Sequence, residues 1–240
     1  MDEAKRFLRY VTPGLVFLTQ TLIILWLIEP DIIYTILKDF SKESGVGLVI
    51  ATLLASGGVG FMFSVVHHYL HWHDQYTSVD HRKFIASLRA RGIIQLRNRE
   101  SDDVLAETVT PNRFQAWTIL TGLWHERVAR KNSLIKSADP RASSLADLVH
   151  SVGTARVAAI TAWIFALLIL WRTCDLSTEG WAIARFIVGN ILAAGFVLLF
   201  HVGYRRTGEA AQRIAEQVLD DALTQEQTKN GAAIDTYVAL

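Results

Sequence analysis

The sequence predicts an all-α integral membrane protein: four transmembrane helices as two hairpins, a helical cytoplasmic insert between them, and an amphipathic C-terminal helix. Three observations carry this. The 240 residues are 51% hydrophobic, and the apolar ones gather in uncharged blocks near the length that crosses a bilayer, about 20 residues. Lysine and arginine are placed unevenly among the connections between those blocks. The longest connection and the tail carry apolar residues at helical spacing rather than disordered, polar sequence.

The first block, Tyr10 to Ile28, is uncharged for 19 residues. Its apolar run is too long for a signal-peptide core and no small-residue cleavage site follows it, so it reads as a retained span. Pro13-Gly14 should loosen or kink its start, and Gln20 lies near its middle. The second block, Gly45 to Val66, is uncharged for 22 residues and rich in small side chains. Ala51 and Ala55 form one pair, Ser56, Gly60 and Ser64 form a second row, and Gly57-Gly58 lies between. Small residues mark where transmembrane backbones approach, so this row predicts tight packing inside the bundle, or else a self-association or pore-lining face.

The second span ends in "VVHHYLHWHDQY", with four histidines in twelve residues. On a helix, His67, His71 and Asp74 share one face by their spacing of four and seven, while His68 and Trp72 point elsewhere. His150 precedes the third span and His201 ends the fourth, on the same membrane side. Neutral imidazoles with a carboxylate suit zinc or non-haem iron, provided about three such groups converge within about 2.0 to 2.2 Å of one ion. The run resembles in part the histidine boxes of membrane di-iron desaturases and hydroxylases, which use several boxes where this chain has one. The alternative is an aromatic exit from the bilayer, since His, Trp and Tyr suit an interface that is apolar at one end and wet at the other.

In the insert, "DHRKFIASLRARGIIQLRNRE" offers Asp80 as a helix cap and Phe84, Ile85, Leu88 and Leu96 as an apolar face broken by Gly92. Arg82, Lys83, Arg89, Arg91, Arg97 and Arg99 fall there with no acid between Asp80 and Glu100. Such a cluster beside a membrane meets anionic headgroups, or binds a phosphorylated ligand through bidentate guanidinium contacts. Further on, Thr110 as cap and Pro111 at the first position introduce a helix with Phe114, Trp117, Leu120, Trp124 and Val128 on one side. The third and fourth spans, Val157 to Trp171 and Phe186 to Phe200, are uncharged for 15 residues each and are lengthened by their flanks. Asn190 lies near the middle of the fourth, at a depth from which it could bond Gln20. After Thr207 as a cap, Ala211, Ile214, Ala215, Val218, Leu219, Ala222 and Leu223 form an apolar stripe. The last fifteen residues read as polar and loose.

The domain boundaries follow: 1–70, first hairpin; 71–150, insert; 151–205, second hairpin; 206–240, amphipathic helix and tail. Twenty Lys or Arg lie in the N-terminal tail, the connection from Leu70 to Arg156 and the tail after Tyr204, against four in the two short loops (Lys38, Lys42, Arg172, Arg185). Both termini are therefore expected on the cytoplasmic side of the plasma (inner) membrane. The single Cys174 excludes an internal disulfide and any multi-cysteine zinc site. A Gly-rich phosphate loop, GxSxG and HExxH are absent from the sequence, so no reaction is read from it. The expected function is a non-enzymatic, homo-oligomeric membrane effector or sensor, pore-like or membrane-perturbing, driven through its cytoplasmic helices by a protein partner, a nucleotide or another anionic ligand. Small prokaryotic defence effectors share this general plan. The alternatives are a metal-dependent membrane enzyme using His67, His71 and Asp74, with His201 as a further candidate ligand, for zinc or iron, and a structural subunit of a membrane complex.

Overall fold

A computed structural model describes residues 2–40, 45–71, 79–106, 108–129, 139–173, 180–231 and 233–238. The order of elements is α1 (Asp2–Ile28), α2 (Pro30–Phe40), α3 (Gly45–His71), α4 (Arg82–Ala90), β1 (Ile94–Asn98), α5 (Arg113–Leu123) with a π-helical turn at Trp124–Ala129, α6 (Asp139–Thr173), α7 (Gly180–Asn230) and β2 (Ile234–Val238). Four helices are long and apolar enough to cross a membrane, within Arg9–Ile28, Ile50–His71, Ser144–Arg172 and Trp181–Lys229. The chain folds as two compact units. An apolar unit comprises Met1–Tyr69 and Asp147–Arg205, and a mixed α/β unit comprises Leu70–Ala146 and Arg206–Leu240.

In the apolar unit, α1 and α3 touch backbone to backbone. A Cβ on Gly14 would lie 1.8 Å from the Ser56 carbonyl oxygen, and one on Gly60 would lie 1.7 Å from that of Tyr10. The small-residue row thus faces inward: Ser56, Gly60 and Ser64 are all buried. The Ser56 hydroxyl donates to the Leu53 carbonyl of its own helix at 2.8 Å, which removes a polar group from the contact without crossing it. α1 runs unbroken through Pro13, which is itself buried.

Helix α6 presents an alanine face, with Ala155, Ala158, Ala159, Ala162 and Ala166 buried. It also receives the amides of Gln20 and Asn190, which lie within the apolar stretches of α1 and α7. Gln20 Nε2 donates to the Ala159 carbonyl at 3.0 Å, whereas Asn190 Oδ1 accepts from the Trp163 indole at 2.9 Å and its Nδ2 donates to the Phe186 carbonyl at 2.8 Å. The direct bond between Gln20 and Asn190 suggested by their depths does not form, because α6 offers each a partner. An apolar cluster of Ile24, Leu25, Ile28, Ile33, Ala166, Leu170 and Ala193 fills the end of the unit nearest α2. Ile33 belongs to α2, which stands where a loop is expected. Pro30 presets its first turn and Asp31 places an acid at its positive end.

The mixed unit is built around Ile85, Leu88, Ile93, Ile94, Leu96, Ile119, Leu120, Leu123, Val128, Leu219, Leu223 and Ile234. α4 ends where Gly92 takes φ +65°. The Gly92 N–H donates to the Arg89 carbonyl at 2.8 Å and the Ile93 N–H to Leu88 at 2.9 Å, the paired bonds of a Schellman cap with its Leu88/Ile93 apolar neighbours. The chain then enters β1, which pairs in parallel with β2 from Ile94↔Ile234 to Asn98↔Val238.

This pair corrects the all-α expectation, both for the insert and for the loose tail. Ile234 and Thr236 are buried while Asp235 and Tyr237 are exposed, an alternation of period two among β-branched and aromatic residues. A second correction concerns α5. Its cap is Asn112, in a capping box with Gln115 whose two bonds are both 2.8 Å, rather than Thr110 two residues earlier. Leu120, Trp124 and Val128 are buried as expected, but Phe114 and Trp117 are exposed and stack on one another at 6.1 Å, while Ala116, Ile119 and Leu123 take the buried face. A third concerns Thr207, which lies inside the uninterrupted α7 instead of capping a new helix.

Candidate functional site

The densest polar constellation of the apolar unit lies where α3 ends, α6 starts its apolar stretch and α7 finishes its own. His67 is fully buried, with ring centroids 5.9 Å from His68, 5.6 Å from His150 and 5.6 Å from Tyr204. Its ring sits directly on α6, where a Cβ on Gly153 would come within 2.1 Å of His67 Cε1. Gly153 is therefore required by close approach and not by its backbone angle. His68 and His150 stack, with centroids 4.7 Å apart and an interplanar angle of 14°. The His68 Nδ1 lies 3.1 Å from the Ser64 carbonyl; a carbonyl only accepts, so Nδ1 carries the proton.

Beside this group Arg156 is buried, at 7% exposure. Its guanidinium carbon stands 4.4 Å above the Tyr204 ring, a cation–π contact, and Nη1 is 3.5 Å from the His201 Nδ1. Since guanidinium has no acceptor, the Nδ1 of His201 accepts, which places the proton of a neutral His201 on Nε2. Ion pairs at this end of the unit go elsewhere: Arg9 bonds Asp147 at 3.1 Å.

Searches against protein-family models, curated proteins and solved structures return no match.

The metal set expected from the sequence falls only partly within the described residues. His67 and His71 stand one turn apart on α3 and both are buried, His201 is exposed on α7, and Asp74 falls outside the described residues. Among the described residues no group of three or more His, Cys, Asp or Glu is disposed to hold an ion. The stacked His68 and His150 present ring faces to one another, whereas a metal is bound by lone pairs in the ring plane.

The basic segment is also reorganised by folding. Arg82 forks onto Asp80, with 3.0 Å and 2.8 Å bonds to its two oxygens. Arg89 donates to the carbonyls of Val109, Leu105 and Ala106 at 2.6, 3.1 and 2.9 Å, tying down the 105–109 turn. Arg91 pairs with Asp220, and Arg97 Nε pairs with Asp235 at 3.0 Å. Arg82, Arg89, Arg91 and Arg97 thus have partners inside the mixed unit, while Lys83 and Arg99 remain exposed. Sequence reasoning missed Arg156, which it counted as one more charge of the insert. The signal available was its position, directly before the uncharged run that starts at Val157.

Proposed function

We propose that the chain is a polytopic membrane protein of the sensor or effector type, without an enzymatic reaction of its own. In this reading its four apolar helices lie in the plasma membrane as two hairpins, with the termini and insert in the cytoplasm. The mixed unit receives a protein partner or an anionic ligand and alters the packing of the helices so that the bilayer is perturbed. The observation that supports it is α7. One uninterrupted helix, Gly180–Asn230, supplies apolar residues such as Gly189 and Ala193 to the apolar unit and Leu219 and Leu223 to the core of the mixed one. A change in how the mixed core grips α7 therefore acts on the same helix that the spans pack against.

The row of Ser56 and Gly60 is taken by α1, so perturbation is not assigned to a pore lined by it. The exposed wall of α7 at Val188, Ile191, Leu192, Gly195 and Leu199 is the face available to lipid or to a second copy in a homo-oligomer. Dye-loaded liposomes containing the full-length protein test the proposal. Leu223→Ala, which loosens the mixed core, is expected to raise leakage above wild type. Leakage equal to protein-free vesicles for both proteins would remove the reading.

A further inference from the structure

We infer that Arg156, with His201 and Tyr204, forms a binding site for a phosphoryl anion at the edge of the apolar unit, separate from the basic segment of the insert. The site stands whether or not the chain perturbs membranes. Its lipid form requires only that the four apolar helices lie in a bilayer.

The argument begins with charge. Arginine stays protonated in proteins, so a guanidinium at 7% exposure is a cation largely withdrawn from water. Burial of a charge is costly unless it is compensated, and the usual compensation is a carboxylate. Among the described residues none pairs with Arg156: its neighbours are the face of Tyr204 and the Nδ1 of His201. A ring face and a neutral imidazole supply partial negative charge but no counter-ion. The surrounding polar groups are of the same kind, since His67, His68 and His150 gather around Tyr204 and Gly153 and bring no acid.

Position then selects the ligand. Arg156 immediately precedes the uncharged run Val157 to Trp171, and His201 immediately follows the uncharged run Phe186 to Phe200. Both therefore sit at the boundary of the apolar slab, the depth of lipid headgroups, where arginine is tolerated because phosphate oxygens are at hand. Guanidinium has five N–H donors in a planar fork; His201 engages one and Tyr204 covers one face, and the fork matches two oxygens of a phosphate. His201 is exposed, so the flank beside it is open to solvent or headgroups. The ligand chemistry is accordingly a phosphodiester or phosphate group, carried either by an anionic lipid or by a free phosphorylated molecule.

The test uses the full-length protein in detergent, with phosphatidylglycerol, phosphatidylcholine and inorganic phosphate as probes. Retained lipid is read by native mass spectrometry and stabilisation by the thermal midpoint. Wild type is expected to retain phosphatidylglycerol over phosphatidylcholine, and Arg156→Gln to lose that preference by about tenfold, as the loss of a charge-assisted pair implies. Because Arg156→Gln removes a buried group, His201→Glu is the second variant. It changes an exposed residue and places a carboxylate beside the guanidinium, so the internal counter-ion should displace the external one with the fold intact. Arg185→Gln, at the other end of the α7 apolar stretch and against Trp181, should behave as wild type. A headgroup site gives lipid preference lost in both site variants. A free-phosphate site gives no lipid preference but a rise in midpoint with inorganic phosphate that both variants abolish. If wild type and His201→Glu respond alike to both probes, or if Arg185→Gln loses binding as much as Arg156→Gln does, the site is refuted.

Discussion

Asp80 gathers more polar contacts than any other acid of the mixed unit described above. Arg82 forks onto its carboxylate, Arg113 approaches it at 3.5 Å, and the Gln212 amide bonds both its N–H and its carbonyl, at 3.1 and 2.7 Å. The hydrogen bonds from Arg82 hold its carboxyl down to about 2, against a usual 3.8, although burial pushes the other way. A depressed carboxylate stabilises the fold above its unfolded value, and that stabilisation is lost as pH falls from about 4 towards 2. Asp80→Asn should therefore cost about 1 kcal/mol near neutral pH, after discounting the shift for solvent screening, and the cost should shrink below pH 4; urea unfolding at a series of pH values measures it. At this scale the sequence was a poor guide. The arginines of the basic segment look like a free surface charge because their acids, Asp220 and Asp235, lie more than a hundred residues away in the chain. Arg156 escaped for the opposite reason: nothing in its immediate sequence says that Tyr204 and His201 will close over it.

Elements were legible where one period dominates. Uncharged length located the apolar stretches of four helices, and the spacing of Ile85, Leu88, Leu219 and Leu223 located the face that the mixed core buries. Boundaries and strands were harder. β1 follows α4 after only Arg91, Gly92 and Ile93, and β2 hides in a tail whose polar residues simply occupy the outward half of an alternating pattern. The small-residue motif in α3 marked a close contact but not its partner, because Ser56, Gly58 and Gly60 look equivalent in one dimension. They are not equivalent in space. A Cβ on Gly60 meets the Tyr10 carbonyl oxygen at 1.7 Å, whereas one on Gly58 meets nothing within 4 Å. Gly60→Ala should force α1 and α3 apart and cost about 3 kcal/mol or more, while Gly58→Ala should be neutral or slightly stabilising through helix propensity. Thermal midpoints of the two variants in detergent give the comparison, and equal midpoints would mean that the α1–α3 contact is not as close as described.

For the whole molecule the decisive quantity is the placement of positive charge, twenty Lys or Arg in the two tails and the connection from Leu70 to Arg156 against four in the short connections. Several of those arginines are neutralised in the fold by distant acids, Arg91 by Asp220 and Arg97 by Asp235. This does not weaken the orientation argument. Orientation is set as the chain is inserted, before Asp220 and Asp235 can fold back, and acidic residues contribute little to it. A reporter active only in the cytoplasm should therefore report when fused after Leu240 or within 130–138, and one active only outside should report when placed at 41–44 or 174–179. Adding lysines to 41–44 should erode this pattern, since it opposes the same bias that sets it, whereas replacing Asp220 and Asp235 by asparagine should leave orientation unchanged and lower only the stability of the mixed unit. An external signal from the Leu240 fusion in the unaltered chain would invert the assignment.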